Sequence, residues 1–182
     1  MALIKPVFSY EHLAQMPDDG KRYEILEGDL VVSPSPNRKH QRIVGRLFTF
    51  LSRAEQAGYG EAYVAPFDVV FDPHNAPQPD VFFVSRDRLA IVTEDNVQGA
   101  PDLIVEVLSK STRERDLGAK LRLYARHGVR FYWVVDPDAE TLRPYTLQEE
   151  GYREEPALRV GETLACPLFP GIELAVAEAF AS

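Results

Sequence analysis

The stretch "DLIVEVLSKSTRERDLGAKLRLY" (Asp102–Tyr124) contains a run of aliphatic residues that is interrupted by a single carboxylate, Glu106. Such a run is typical of a strand that is buried on both faces. An unpaired buried charge costs several kcal/mol even after its surroundings relax. The sequence therefore predicts that a cation meets Glu106, or that this carboxyl group is held protonated.

The helix predicted after this strand offers a candidate for that cation. Leu117, Leu121 and Tyr124 form an apolar stripe that we expect to pack on the sheet, and Lys120 borders this stripe. The side chain of Lys120 is long enough to extend from the edge of the stripe over the end of the strand. We therefore predict that its ammonium group reaches Glu106.

Outward from this stretch, the chain alternates between predicted strands and helices. Helices are predicted after Ser9, over "SPNRKHQRIVGRLFTFLSRAEQAG", and from Thr112 to His127. The predicted strands are a hairpin "RYEILEGDLVVS" that turns at residues 27–29, then "GEAYVAPFDVVF", "PDVFFVS", "PDLIVEVLS", "RFYWVVD" and short antiparallel pieces in the tail, where "IELAVAEAF" fits either a strand or a helix. A hairpin supplies antiparallel pairs, and a strand–helix–strand crossover supplies a parallel pair. This order favours an α/β fold with a mixed β-sheet flanked by helices.

Composition limits the class of protein. The 182 residues are 45% hydrophobic and 26% charged, which is ordinary for a globular chain, and we expect one domain over residues 1–182. No segment has the length and apolar character of a signal peptide or a membrane span, so we expect a cytoplasmic protein that does not enter a membrane. Cys166 is the single cysteine, which excludes an internal disulfide and suits a small packing residue.

Several chemistries lack their usual sequence signals. The four histidines lie far apart in the sequence, which argues against a structural zinc site, and no glycine-rich phosphate loop or G-x-S-x-G elbow occurs. The net charge of −8 argues against a surface that is broadly adapted to nucleic acid. Two basic segments, "NRKHQR" (Asn37–Arg42) and "KSTRER" (Lys110–Arg115), still allow a local contact with a phosphate backbone, although a solvated helix start explains either of them as well.

A second carboxylate, Asp80, begins the predicted strand "VFFV" and follows Pro79, which marks a strand edge because proline cannot donate to the ladder. Mg²⁺ prefers one or two carboxylates with waters completing its shell, and a bound metal lowers the pKa of a water molecule. Asp80 and Glu106 on neighbouring strands, with Lys120 beside them, therefore form a constellation that suits phosphodiester cleavage.

These residues carry a resemblance to a known family. "PD" at 79–80, "EV" at 106–107 and Lys120 resemble the PD-(D/E)xK nuclease superfamily, and nearly the whole chain is similar to the Uma-type restriction-endonuclease-like family. The resemblance implies a restriction-endonuclease-like core, with Asp80 and Glu106 as ligands of Mg²⁺ or Mn²⁺, Lys120 beside them and Glu24 as a further acidic site residue. It also implies a homodimer. The chain departs from the superfamily pattern at Leu108, where the lysine would stand, so Lys120 must act from the helix.

Three functions compete on these residues. The first is a metal-dependent endonuclease that acts on DNA, and the second is a catalytically inactive DNA-binding or regulatory module on the same fold. The third is a two-carboxylate hydrolase such as a glycosidase, which the lysine disfavours. Each site residue also has a simpler interpretation: a structural ion pair for Glu106 and Lys120, a turn for Asp80, a surface partner for Glu24, support of the helix N-terminus for Asp116, a core position for Tyr124, a solvated position for His40 and a strand-ending turn for Asp136.

Overall fold

The computed structural model describes residues 6–181. Residues 1–5 and 182 lie outside the described part. They include both ends of the expected domain 1–182 and the first residues of the N-terminal segment, for which no signal peptide is predicted. The helices are α1 (Tyr10–Leu13), α2 (Arg38–Gln56), α3 (Arg113–Arg115), α4 (Leu121–Arg126) and α5 (Val176–Phe180), with a 3₁₀ helix at Arg86–Ile91 and a π-helical turn at Asp116–Lys120. The strands are β1 (Arg22–Leu26), β2 (Asp29–Ser33), β3 (Gly60–Val64), β4 (Asp68–Val70), β5 (Val81–Ser85), β6 (Asn96–Gln98), β7 (Leu103–Val107), β8 (Phe131–Asp136), β9 (Thr141–Gln148), β10 (Gly151–Glu154), β11 (Leu158–Arg159), β12 (Thr163–Ala165) and β13 (Glu173–Ala175).

The main sheet has seven strands in the order β10-β9-β8-β7-β5-β3, with β11 paired to β9. The pair β7–β8 is parallel, and the other pairs in this sheet are antiparallel. The crossover between β7 and β8 runs through α3, the π-helical turn and α4. The structure therefore confirms the predicted α/β fold with a mixed sheet flanked by helices.

Two apolar layers cover the two faces of this sheet. On one face, α2 buries Ile43, Leu47 and Phe50 in a cluster that also contains Trp133 of β8. On the other face, Leu123 and Tyr124 of α4 join a cluster that contains Phe82 and Ile104 of β5 and β7, and the hairpin β1–β2 contributes Leu26. Alternation along β7 explains the split, since successive side chains of a strand point to opposite faces. Glu106 shares the face of Ile104.

The strands β1 and β2 form a hairpin that is closed by a tight turn. Its two strands pair from Arg22↔Ser33 to Leu26↔Asp29, as predicted. Glu27 and Gly28 at the turn both have positive φ, 53° and 78°, which is the conformation that a two-residue hairpin loop of the I′ type requires. The pairing turns Glu24 away from solvent, and the side chain of Glu24 is fully buried.

The helix predicted from Thr112 to His127 is interrupted by the π-helical turn at Asp116–Lys120. A π turn adds one residue to the helical repeat, so the side chains around it rotate relative to a regular α-helix. Leu117 is 39% exposed, and the prediction that it packs on the sheet was therefore wrong. Asp116 and Lys120 are buried instead, at 2% and 1% exposure.

Other elements differ from the sequence prediction in smaller ways. The ambiguous "IELAVAEAF" is both, a strand β13 followed directly by the helix α5. Strand β6 and the 3₁₀ helix were not predicted, because each is short and lacks a clear period. Cys166 is buried and free, as predicted. Within residues 6–181, no helix combines the length and the apolar character that crossing a membrane requires.

Candidate active site

The antiparallel pairing of β5 and β7 brings the two predicted metal ligands together. Val81 pairs with Val105 at the end of the ladder, so the next residues outward, Asp80 and Glu106, lie opposite each other. Residues that are directly opposite in an antiparallel pair project from the same face of the sheet. Both side chains are buried, with exposures of 4% for Asp80 and 2% for Glu106.

Asp80 is held by three donors. Arg22 donates to Oδ1 at 2.8 Å, while Oδ2 accepts the backbone N–H of Val107 at 2.9 Å and lies 3.1 Å from Nε2 of His40. Burial raises the pKa of Asp80, but the hydrogen bond and charge of His40 and the charge of Arg22 exceed this effect and hold the pKa far below its usual range. Asp80 is therefore a permanent anion, and the interpretation of His40 as a solvated residue was wrong.

Glu106 meets the predicted cation. Nζ of Lys120 donates to Oε1 of Glu106 at 2.8 Å, and the hydroxyl of Tyr124 donates to the same oxygen at 2.7 Å. The predicted contact between Lys120 and Glu106 is thus confirmed. Burial nevertheless raises the pKa of Glu106 to about 8, because the ammonium group does not offset burial together with the charges of Asp80 and Asp116. Oε2 of Glu106 remains for a further ligand.

Glu24 reaches the same ammonium group from the hairpin. Its Oε1 lies 2.9 Å from Nζ of Lys120 and accepts the backbone N–H of Gln78 at 2.9 Å. Burial raises its pKa, but the charges of Lys120 and Arg22 outweigh burial, so the net pKa is lowered. Glu24 is therefore not a surface partner in a cross-strand pair. It is one of the buried anions that surround Lys120.

Asp116 adds a fourth buried carboxylate through the π-helical turn. Its Oδ1 lies 3.9 Å from Nζ of Lys120 and has no hydrogen-bond partner among the described residues. Burial is the main cause that raises its pKa, and the charges of Lys120 and Arg115 oppose it. An unpartnered buried oxygen is costly unless a ligand or water satisfies it. Asp116 thus lies buried in the wall of the cleft, beside the other site carboxylates.

A cleft of about 430 Å³ opens beside these groups. Its lining contains the buried carboxylates of Asp80, Glu106 and Asp116. Basic side chains from three segments also line it: Arg22, Lys39, Lys110, Arg115 and Lys120. Lys39 and Lys110 are exposed, so positive charge faces solvent around a buried acidic centre. The arrangement can attract a phosphate group at its edge and present carboxylates to it in the interior.

The fit of a metal ion to this site follows from its donors. Among residues 6–181, no three His, Cys, Asp or Glu side chains are arranged to hold a metal by themselves. The site instead offers two adjacent carboxylates, Asp80 and Glu106. This donor set is hard and oxygen-rich, and Mg²⁺ needs only one or two carboxylates when waters fill the remaining positions. The residues present therefore fit Mg²⁺ or Mn²⁺ with a largely hydrated shell.

Sequence reasoning missed two residues that matter for this geometry. Arg22 and His40 both bind Asp80, from positions 58 and 40 residues earlier in the chain. The sequence allowed the basic segment Asn37–Arg42 to be either a phosphate contact or a solvated helix start, and neither interpretation predicts a contact with Asp80. The signal available in the sequence was the helical spacing of His40 with the apolar residues at 43, 44 and 47, which puts His40 on the buried face of α2.

Comparison with known proteins identifies the family. The structure is similar to a crystal structure described as "a putative nuclease belonging to DUF820 from Anabaena variabilis", with a TM-score of 0.80, 18% identity, and coverage of 96% of this chain and 98% of that chain. At this identity the likeness shows the fold. No curated protein matches the sequence. Residues 10–177 match the Uma2 family, which is described as "Putative restriction endonuclease". The chain therefore belongs to the Uma2 family of restriction-endonuclease-like proteins.

Proposed function

We propose that this chain is a metal-dependent endonuclease that hydrolyses phosphodiester bonds of DNA. The observation that carries the proposal is the pair of buried carboxylates, Asp80 and Glu106, placed opposite each other on adjacent strands with Nζ of Lys120 at 2.8 Å from Glu106. Family membership supports a nuclease. A glycosidase gains no support from the family, which is described as a restriction endonuclease.

Each residue has a distinct role in this proposal. Asp80 and Glu106 would hold Mg²⁺ or Mn²⁺, which supplies Lewis acidity and a more acidic bound water. Lys120 balances the negative charge of Glu24 and donates to Glu106, and its ammonium group would orient the attacking water beside the scissile phosphate. Glu24 fixes Lys120 through an ion pair, with its Oε1 at 2.9 Å from Nζ. Neither Glu24 nor its backbone partner needs to touch the substrate.

A second candidate has its own support. Asp80 already forms an ion pair with Arg22, and Glu106 with Lys120. In a catalytically inactive DNA-binding or regulatory module, these two pairs would be the permanent structure of the site. In the nuclease, Asp80 must share its oxygens among Arg22, His40, the backbone N–H of Val107 and the metal, and these four partners match the about four acceptor positions of a carboxylate.

Cleavage of supercoiled plasmid tests the proposal. Wild-type protein is incubated with plasmid and either Mg²⁺, Mn²⁺ or EDTA, beside Asp80→Asn and Lys120→Met. We expect nicked and linear products only with the divalent ions and only from the wild type. Lys21→Met, which removes an exposed lysine that does not line the cleft, is the matched control and should cleave. Binding of DNA without cleavage under either metal would instead favour the inactive module.

A further inference from the structure

The first half of α2 concentrates unpaired positive charge in an acidic protein. No aspartate or glutamate occurs between Asp29 and Glu55, although the chain has 28 acidic residues and a net charge of −8. Arg38, Arg42 and Arg46 are four residues apart, so they lie on one face of the helix. We call this face the arginine stripe. Its position on a helix that is anchored in the core makes it a rigid surface.

The arginine stripe lacks the carboxylate partners that other arginines of the chain have. Within residues 6–181, none of its three members forms an ion pair, whereas Arg88 and Arg113 bind Asp102 and Asp136 at 2.8 and 2.7 Å. The first turn of α2 also contains no acidic residue. Cations in a first turn oppose the helix dipole, which favours anions there. Local stability therefore does not explain this charge distribution.

The stripe is continuous with the cleft. Its side chains line a hollow of about 460 Å³ together with Lys39, and Lys39 also lines the cleft. Lys39 donates to the backbone carbonyl of Pro137 at 2.5 Å, which fixes the junction between the two depressions. In the same first turn of α2, His40 contacts Asp80. Glu140 also lines the hollow, and its negative charge would repel a phosphate group bound there.

From these observations we propose that the arginine stripe binds the phosphate backbone of duplex DNA and directs it toward the cleft, an inference that rests on the proposed action on DNA. Arg38 to Arg46 spans about 12 Å at 1.5 Å per residue. This length equals the rise of about three to four base pairs at 3.4 Å each. A row of guanidinium groups suits a repeating phosphate backbone, which each group can bind with two parallel hydrogen bonds.

The test measures DNA binding without cleavage. Fluorescence anisotropy with a labelled 30-base-pair duplex is recorded in EDTA over a range of salt concentrations. The stripe variant carries Arg38→Gln, Arg42→Gln and Arg46→Gln. The matched control carries the same change at three exposed arginines without ion pairs among the described residues: Arg86, Arg122 and Arg159. A rescue variant replaces the three stripe arginines by lysine. Thermal unfolding followed through Trp133 verifies that each variant folds.

We expect the stripe variant to bind at least tenfold more weakly at low salt. Its slope of log affinity against log salt should be lower by about 2.7, since each phosphate contact contributes about 0.9. The control and the lysine variant should retain most of the wild-type slope. Equal losses in the stripe variant and the control would overturn the inference, as would wild-type binding to anionic vesicles or RNA in preference to duplex DNA.

The outcome separates this inference from the proposed function. If the stripe variant binds DNA like the wild type while the wild type cleaves plasmid, the proposed role of the arginine stripe is wrong and the proposed nuclease activity is supported. If the stripe variant loses DNA binding but the wild type cleaves nothing with Mg²⁺ or Mn²⁺, the proposed role of the arginine stripe is supported and the proposed nuclease activity is wrong.

Discussion

Replacement of Lys120 by Met should destabilise the protein strongly, and more so at higher pH. Lys120 is 1% exposed and lies within 2.9 Å of both Glu106 and Glu24. Removal of one partner of a buried ion pair costs about 3–5 kcal/mol, because the remaining charge is left without compensation. Glu106 limits the loss at neutral pH, since its pKa of about 8 already keeps it largely protonated. We therefore expect a loss of about 3 kcal/mol near pH 6, increasing toward about 5 kcal/mol above pH 8.

The sign of the pH dependence follows from linkage. In the wild type, Lys120 contributes to lowering the pKa of Glu24 against the effect of burial. Without this ammonium group, burial raises the pKa of Glu24 in the folded state above its value in the unfolded chain. The folded variant then binds more protons than the unfolded variant, so its stability falls as the pH rises through the carboxyl range. The difference between wild type and variant must therefore grow with pH.

Urea unfolding at pH 5, 6, 7 and 8 measures this difference. The single tryptophan, Trp133, is 2% exposed in the core and reports on unfolding through its fluorescence. Lys110→Met is the matched control, because Lys110 is an exposed lysine of the same cleft, and it should change stability by no more than about 0.5 kcal/mol. A loss below about 1 kcal/mol for Lys120→Met, or a loss that does not grow with pH, would refute the role of Lys120 in balancing the buried carboxylates.

Further predictions concern the same site and its assembly. Between pH 4.5 and about 8, Glu106 is ionised in the unfolded chain but keeps its proton in the folded protein, so this group makes the stability of the wild type decline as the pH rises. Glu106→Gln should flatten this decline in the same urea titrations. Added Mg²⁺ should raise the thermal midpoint of the wild type by ligand linkage and leave Glu106→Gln unchanged, and an equal gain in the variant would contradict metal ligation by Glu106. We also expect a homodimer, since two symmetric sites most simply cut both strands of a duplex; a monomer in light scattering at micromolar concentration would contradict this.

The parts of the site that the sequence predicted are those with a local pattern. Glu106 was identifiable because a charge interrupts a run of aliphatic residues, and Lys120 because it borders an apolar stripe in the next helix. Both patterns depend on spacing within one element or between two consecutive elements. The parallel pairing of β7 with β8 then follows from the crossover rule, so this half of the site could be predicted.

The other half depends on how distant elements dock, and no local pattern encodes it. Arg22 and Glu24 lie on one strand of a hairpin, and alternation alone does not say which side of the hairpin faces the sheet. The hairpin reaches Asp80 and Lys120 only through contacts between residues more than 50 positions apart. Leu117 was placed wrongly because the π-helical turn at Asp116–Lys120 departs from the α-helical spacing on which the prediction was based.

The departure at Leu108 is explained by the geometry of the π-helical turn. Leu108 is 5% exposed, belongs to the apolar layer with Leu123 and also lines the cleft. The turn at Asp116–Lys120 instead brings the ammonium group of Lys120 to 2.8 Å from Glu106. An ammonium group acts as a compact point charge on a flexible stem. Its effect on Glu106 or on a phosphate therefore depends on where the nitrogen lies, and not on which element supplies it, so the core retains its leucine while the site retains its lysine.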